Sequence, residues 1–283
     1  MAETFHGAVY NTLHATPSPV LVRARAACHR YPHAERLSAP TFTSDPTLVD
    51  TGSTVVLTGV GAKGQVGEVV ARAFADLGAS LVLVDRTTTN VEERAAELNA
   101  AGHSARGYAC DLTNADAVAS LVADVRRNHG DRLGALVHMA GGFGMSGPVA
   151  ESSLDVWQRQ IAINLTTAYL TTRGFLPMLR EGKGAIVLFA SEAAIPGSAG
   201  ANRSAYAVAK TGVVTLMRSI ANEERKNGVR ANALAPTSIR TAANVAAMGE
   251  GARFIEREEV AAVVTFLCSD AASAISGELL PLT

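Results

Sequence analysis

From Ser53 onward, short β-branched apolar runs alternate with stretches of helical spacing. Ser53–Thr58, Ser80–Val84, Ser104–Ala109, Leu136–Met139, Ala185–Ala190 and Val229–Leu234 read as strands, and Leu279-Leu280 closes the chain. Between them, apolar residues recur at i, i+3 and i+4. That period predicts helices over Val66–Leu77, Val91–Ala101, Asn114–His129, Leu154–Leu179, Arg203–Asn227 and Glu256–Cys268. The longest of the middle helices, Leu154–Leu179, is expected to break near Pro177, because proline has no N–H to give. Strands that are apolar throughout suit a sheet covered on both faces. Strand–helix alternation implies right-handed crossovers. The expected fold is therefore α/β: a single doubly wound, Rossmann-type, mostly parallel seven-stranded sheet with helices on both faces. In such a sheet ligands bind beyond the carboxyl ends of the strands, where the strand order reverses.

The pattern fails before residue 51. Residues 1–50 hold Pro17, Pro19, Pro32, Pro40 and Pro46, half of the ten prolines, and four of the seven histidines. We read 1–50 as an N-terminal extension, disordered or weakly ordered, and 51–283 as one Rossmann-type domain. The extension has neither the basic start nor the apolar stretch of a secretory signal. Its histidines lack tight ligand spacing, so no metal is expected there.

Composition narrows the classes. The 283 residues are 48% apolar and 18% charged, enough for a large core. Lysine plus arginine is 25 against 26 acids, a formal charge of -1, which argues against a nucleic-acid partner. Three scattered cysteines, Cys28, Cys110 and Cys268, form neither a disulfide framework nor a metal knuckle. No apolar run approaches the ~20 residues of a membrane span.

The chemistry sits just after the strands. Thr58-Gly-Val-Gly-Ala-Lys-Gly-Gln-Val-Gly67 follows the first strand and opens a helix. Gly59, Gly61 and Gly64 fit Gly-x-Gly-x-x-Gly, with Gly67 beyond. Glycines let backbone approach a pyrophosphate, and the helix start offers free N–H groups. Asp85 ends the second strand, 21 residues after Gly64. An acid there accepts hydrogen bonds from the adenosine ribose and favours NAD over NADP. Arg86 beside it, and Lys63 in the loop, pull the other way. Asp111 is expected either beside the adenine or capping the next helix. Ala140-Gly141-Gly142 would let backbone pass close to a cofactor.

A second group lies later in the chain. Tyr206 and Lys210 at i, i+4 share one helix face. A free phenol ionises near ~10, and a neighbouring ammonium favours the phenolate. Ser191 follows the fifth strand, 15 residues before Tyr206. Asn164 places an amide on an apolar helix face. Each has a bland reading: Tyr206 and Lys210 as a surface pair, Ser191 as a cap, Asn164 as a satisfied core amide.

Taken together, these residues and Arg230-Ala-Asn-Ala-Leu-Ala-Pro236 resemble the short-chain dehydrogenase/reductase family over roughly 52–282, and within it 3-oxoacyl-carrier-protein-reductase-like members. The resemblance implies a catalytic set of Asn164, Ser191, Tyr206 and Lys210. Tyr206 would exchange the proton, Ser191 orient the carbonyl oxygen, Lys210 lower the Tyr206 pKa and hold the nicotinamide ribose, and Asn164 position a water. It implies a cofactor set of Thr58, Gly59, Gly61, Gly64, Gly67, Asp85, Arg86, Asp111, Leu112, Ala140, Gly141, Tyr206, Lys210, Pro236 and Thr241. No metal is needed.

The implied activity is interconversion of a carbonyl and a secondary alcohol with NAD(H), NADP(H) remaining open. The implied setting is cytoplasmic, as a homodimer or homotetramer with a small-molecule substrate. The departures are a longer glycine loop, Met139 where the family has asparagine, Thr237 after Pro236, and a different carboxyl end. Ala140-Gly-Gly-Phe143 with Thr241-Ala-Ala-Asn244 resembles the dihydropteridine-reductase branch, an alternative that prefers NADH. A non-catalytic dinucleotide-binding regulator is the remote alternative. A nucleotide-sugar epimerase would need a larger carboxyl-terminal domain.

Overall fold

The structure, a computed structural model, describes residues 52–198 and 200–283. The expected extension over 1–50 lies outside them. In chain order the elements are β1 (Thr54–Thr58), α1 (Val66–Asp76), β2 (Ser80–Asp85), α2 (Thr88–Ala100), β3 (Ser104–Ala109), α3 (Ala115–His129) and β4 (Ala135–His138). Then come α4 (Leu154–Ile161), a π-helical turn (Ala162–Thr166), α5 (Thr167–Gly182), β5 (Ala185–Phe189), α6 (Ser204–Glu224) and β6 (Arg230–Pro236). The chain ends with α7 (Ala242–Met248), α8 (Arg257–Cys268) and β7 (Leu279–Leu282).

The seven strands lie in the order β3-β2-β1-β4-β5-β6-β7, and every pairing is parallel. The expectation of a mostly parallel sheet becomes a wholly parallel one. Successive side chains of a strand face opposite ways. Val55 and Leu57 therefore join α1, α2 and α8 in one core through Phe74, Leu98 and Val264. Val56 joins α3, α5 and α6 in the other through Leu121, Phe175 and Met217. Both faces are covered, which is why β1, β4 and β5 are buried at every position.

One local expectation fails, and so does one of the two alternatives for Asp111. The helix starting at Leu154 is not interrupted at Pro177, which sits inside α5. Burial of Phe175, Met178 and Leu179 around it holds the helix together. The interruption comes earlier, as the π turn at Ala162–Thr166. π bulges of this kind recur at functional sites, and this one carries Asn164. Similarly, Asp111 does not cap α3. Asn114 does, taking the N–H groups of Asp116 and Ala117, while Asp111 is occupied by Thr113.

Strand order reverses between β1 and β4, so their carboxyl ends diverge into a crevice.

Candidate active site

That crevice is a groove of ≈ 780 Å³. Its floor is built from the two loops that follow β1 and β4. Gly59 (φ +71) is the tightest point. A Cβ there would stand 2.5 Å from the Ala140 nitrogen, so the loops touch only because Gly59 has no side chain. Gly67 serves packing instead. A Cβ on it would lie 2.3 Å from the Val60 carbonyl oxygen, so its absence lets α1 close onto the loop.

Asp85, Arg86, Asp111 and Leu112 line one end of the groove, and Ala140, Gly141 and Gly142 the other. The Asp85 carboxylate is held in place. Oδ2 accepts from the Gly61 N–H at 2.9 Å, and Oδ1 from Thr87 N–H at 3.0 Å and Asn90 Nδ2 at 3.3 Å. It ties the glycine loop to the end of β2 while keeping its charge in the groove. The Asp111 carboxyl is lowered by its hydrogen bonds from Thr113.

Other residues of the expected cofactor set lie elsewhere. Thr58 is wholly buried, and its hydroxyl is on His138 Nδ1 at 2.9 Å. It is part of the support beneath the groove and does not line it. Gly64 is likewise absent from the lining; its N–H goes to Glu68 Oε2 at 2.6 Å. Pro236 closes β6, and Thr241 caps α7 by accepting from Asn244 N–H at 3.2 Å.

The expected catalytic residues do converge. Lys210 is buried on α6 and donates to the Phe189 carbonyl at 2.7 Å. Its Nζ also lies 5.9 Å from the centre of the Tyr206 ring. A Cβ on Gly141 would come 3.3 Å from that Nζ and 2.6 Å from Asn164 Oδ1. The bare backbone at Gly141 thus brings the groove floor against both residues. Asn164 is fully engaged. Oδ1 accepts from Gly142 N–H at 3.0 Å, and Nδ2 donates to Gly142 O at 3.0 Å and to the Gln160 side chain at 3.1 Å. It is a satisfied core amide, as the bland reading had it, and it also fixes the loop after β4. Ser191 begins a short 3-10 turn, Glu192–Ala194, so it too is a cap placed at the site.

Electrostatics here departs from the spacing argument. Burial pushes the Tyr206 phenol above its ordinary value. The Ser191 hydroxyl and the Arg203 charge act against that rise, and Glu192 adds to it. The rise is opposite in direction to what a lysine at i+4 alone implies. Burial also pulls Lys210 down to about 8, so it is an ammonium at neutral pH. Phe143 covers the phenol from outside, with ring centres 5.2 Å apart and edge to face, yet it is itself 62% exposed.

Sequence reasoning passed over three residues. Arg203 donates to Glu192 Oε1 at 3.0 Å and to the Ser198 carbonyl at 2.9 Å, bracing the segment after Ser191. Glu68 holds Gly64 and pairs with Arg94 at 3.6 Å and Arg257 at 3.3 Å. An acid in the first turn of α1 was the available signal. His138 supports the groove from below. No signal marked it in a strand that is otherwise apolar.

The groove suits a nicotinamide dinucleotide. Close-packed glycine backbone lies at the start of a helix, a fixed acid stands at the far end, and bare backbone at Gly141 abuts Lys210. Among the described residues no three acid, histidine or cysteine side chains gather as a metal site, and no helix is long and apolar enough to cross a membrane.

Comparisons with known proteins agree with this geometry. The family model described as Enoyl-(Acyl carrier protein) reductase matches residues 59–282. A D-threitol dehydrogenase from Mycolicibacterium smegmatis is 35% identical over 229 residues, covering 77% of this chain and 86% of that protein. A solved short-chain type dehydrogenase/reductase from Mycobacterium ulcerans is 32% identical with a TM-score of 0.75, over 81% of this chain and 88% of that one. An actinorhodin polyketide ketoreductase solved with NADPH is 25% identical with a TM-score of 0.74, over 82% and 95%.

Proposed function

Because the chain belongs to the short-chain dehydrogenase/reductase family, whose members are NAD(P)-dependent oxidoreductases of alcohols and carbonyls, we propose that Tyr206 is the general acid–base of such a reaction here. The observation that carries this is the convergence of Tyr206 with Ser191 and with buried Lys210, whose ammonium in turn lies against Gly141 of the groove.

In reduction, the Tyr206 phenol gives its proton to the substrate oxygen, and the Ser191 hydroxyl holds that oxygen in place. In oxidation the phenolate takes the proton back from the alcohol. The Lys210 ammonium sits close enough to favour the phenolate and to meet a ribose hydroxyl over Gly141. Asn164 keeps Gly141 and Gly142 at that spacing. Gly59, Gly61 and Ala140 would hold the dinucleotide backbone, and Asp85, Asp111 and Leu112 its adenosine end. A nicotinamide held there would supply or accept the hydride. Phe143 excludes water from one side of the phenol.

NAD is the proposed cofactor. Three donors fix the Asp85 carboxylate in the groove, where a 2′-phosphate would meet its charge. A homodimer or homotetramer is proposed as well, supported by apolar Leu154, Trp157 and Tyr169 exposed on α4 and α5. The cytoplasmic setting rests on the sequence alone.

The substrate is proposed to be a small carbonyl or secondary alcohol, as the name of the D-threitol dehydrogenase relative suggests. The exposed Phe143 ring beside Tyr206 favours a second reading, a planar quinonoid pterin. A screen of polyols, simple ketones, 3-oxoacyl thioesters and quinonoid dihydropterin, with NADH and NADPH in turn, tests both. Turnover that disappears in Tyr206→Phe supports the assignment. Dinucleotide binding with no turnover on any substrate points instead to a binding protein.

A further inference from the structure

The imidazole of His138 lies beneath the groove at the end of β4, 2% exposed. Nδ1 is 2.9 Å from Thr58 Oγ1, and Nε2 is 3.3 Å from Thr167 Oγ1. Thr167 donates its own hydroxyl proton to the Ile163 carbonyl at 2.9 Å. Its oxygen is then left to accept, so Nε2 must carry a hydrogen. If the ring is neutral, Nδ1 is bare and Thr58 donates to it. Burial keeps the ring neutral, and the nearby Lys210 charge works in the same direction.

The two hydroxyls belong to the two halves of the site. Thr58 is the residue before Gly59, where the glycine loop leaves β1. Thr167 is the first residue of α5, directly after the π turn that carries Asn164. Its bond to Ile163 reaches back into that turn. The path Thr58, His138, Thr167, Ile163 is a continuous hydrogen-bonded chain that starts beneath the groove and ends in its wall.

We propose that His138 is a positioning residue which, as the neutral Nε2–H tautomer, locks the glycine loop to the Asn164 turn and thereby sets affinity for the dinucleotide. This rests on the reading of the groove as a dinucleotide site and is independent of the chemistry at Tyr206.

Two measurements on the full chain test it. Protein labelled with nitrogen-15 histidine is examined by NMR, with the His138 signals identified by their loss in His138→Asn. A protonated Nε2 and a bare Nδ1, unchanged from about pH 6 to about pH 8, are expected. The opposite tautomer, or a titration in that window, overturns the proposal.

The second measurement is NADH affinity by fluorescence titration. His138→Phe keeps the ring volume and removes both bonds. It is expected to weaken binding about tenfold, the size of a lost buried hydrogen bond. His138→Asn offers an oxygen to Thr58 and should recover part of the loss. A folded His138→Phe protein that binds NADH as the wild type does overturns the proposal. If that variant does not fold, Thr58→Val removes the same contact from the other side and should weaken binding severalfold; unchanged affinity is the overturning result there. A wild type that binds neither NADH nor NADPH defeats the groove reading, and this proposal with it.

Discussion

Arg203 and Glu192 meet at 3.0 Å, and their opposite charges bear on the same phenol, that of Tyr206. The positive partner favours the phenolate and the negative one opposes it. Arg203→Gln is therefore expected to move the Tyr206 limb of the pH profile for alcohol oxidation to higher pH, and Glu192→Gln to move it lower. Rates measured across pH for both variants check this. Displacement in the same direction by both would show that the pair acts only by bracing the segment after Ser191.

Tyr206→Phe should lose at least ~10² in turnover, the usual contribution of general acid–base catalysis. NADH affinity should change little, because the groove lining does not include the phenol. Steady-state kinetics alongside a binding titration separate the two effects. Wild-type turnover in this variant would remove Tyr206 from the mechanism.

Asp85→Ala should shift preference from NADH toward NADPH by removing the charge that faces a 2′-phosphate. It should also weaken both cofactors, because Gly61 loses the acceptor of its N–H. Asp85→Asn keeps a side-chain acceptor for Gly61 and isolates the charge effect. The ratio of kcat/KM for the two cofactors is the readout. A wild type that already prefers NADPH would mean that Arg86 or Lys63 outweighs Asp85.

His138 gives the fold an acid limit. Burial lowers it from 6.5 to about 3. Between those values the unfolded chain binds the extra proton and the native chain does not. Stability therefore rises with pH across this window and is lost as pH falls below about 6.5, by a few kcal/mol in total as an order of magnitude. Urea midpoints for His138→Asn should depend less on pH between about 6.5 and 3 than those of the wild type. Equal slopes would show that other groups carry the acid sensitivity.

How legible the fold is depends on where its causes lie. Strands β1, β4 and β5 are buried at every position and mostly apolar because both faces are covered, so a local run suffices to find them. The glycine loop, Asp85 and the Tyr206/Lys210 pair are also local patterns. The π turn is different. It accompanies the engagement of Asn164 with Gly142, 22 residues away, whereas Pro177, the obvious local breaker, is overridden by its buried neighbours. Arg203 and His138 escape a linear reading for the same reason, and so do the arginine partners of Glu68. Arg257, which pairs with Glu68, lies 189 residues further along the chain. The direction of the Tyr206 shift needed burial, which spacing does not report.

The bond between Thr58 and His138 also has a kinetic side. It joins residues 80 apart, at the last pair of the register between the central strands β1 and β4. Each β1–β2 and β2–β3 crossover closes over a much shorter stretch of chain. Loop-closure entropy grows with separation, and long-range parallel pairing is slow to form. The β1–β4 seam is thus the costliest closure among β1 to β4, and the groove opens on that seam. During refolding, the ability to bind dinucleotide should appear after most of the helical signal has returned.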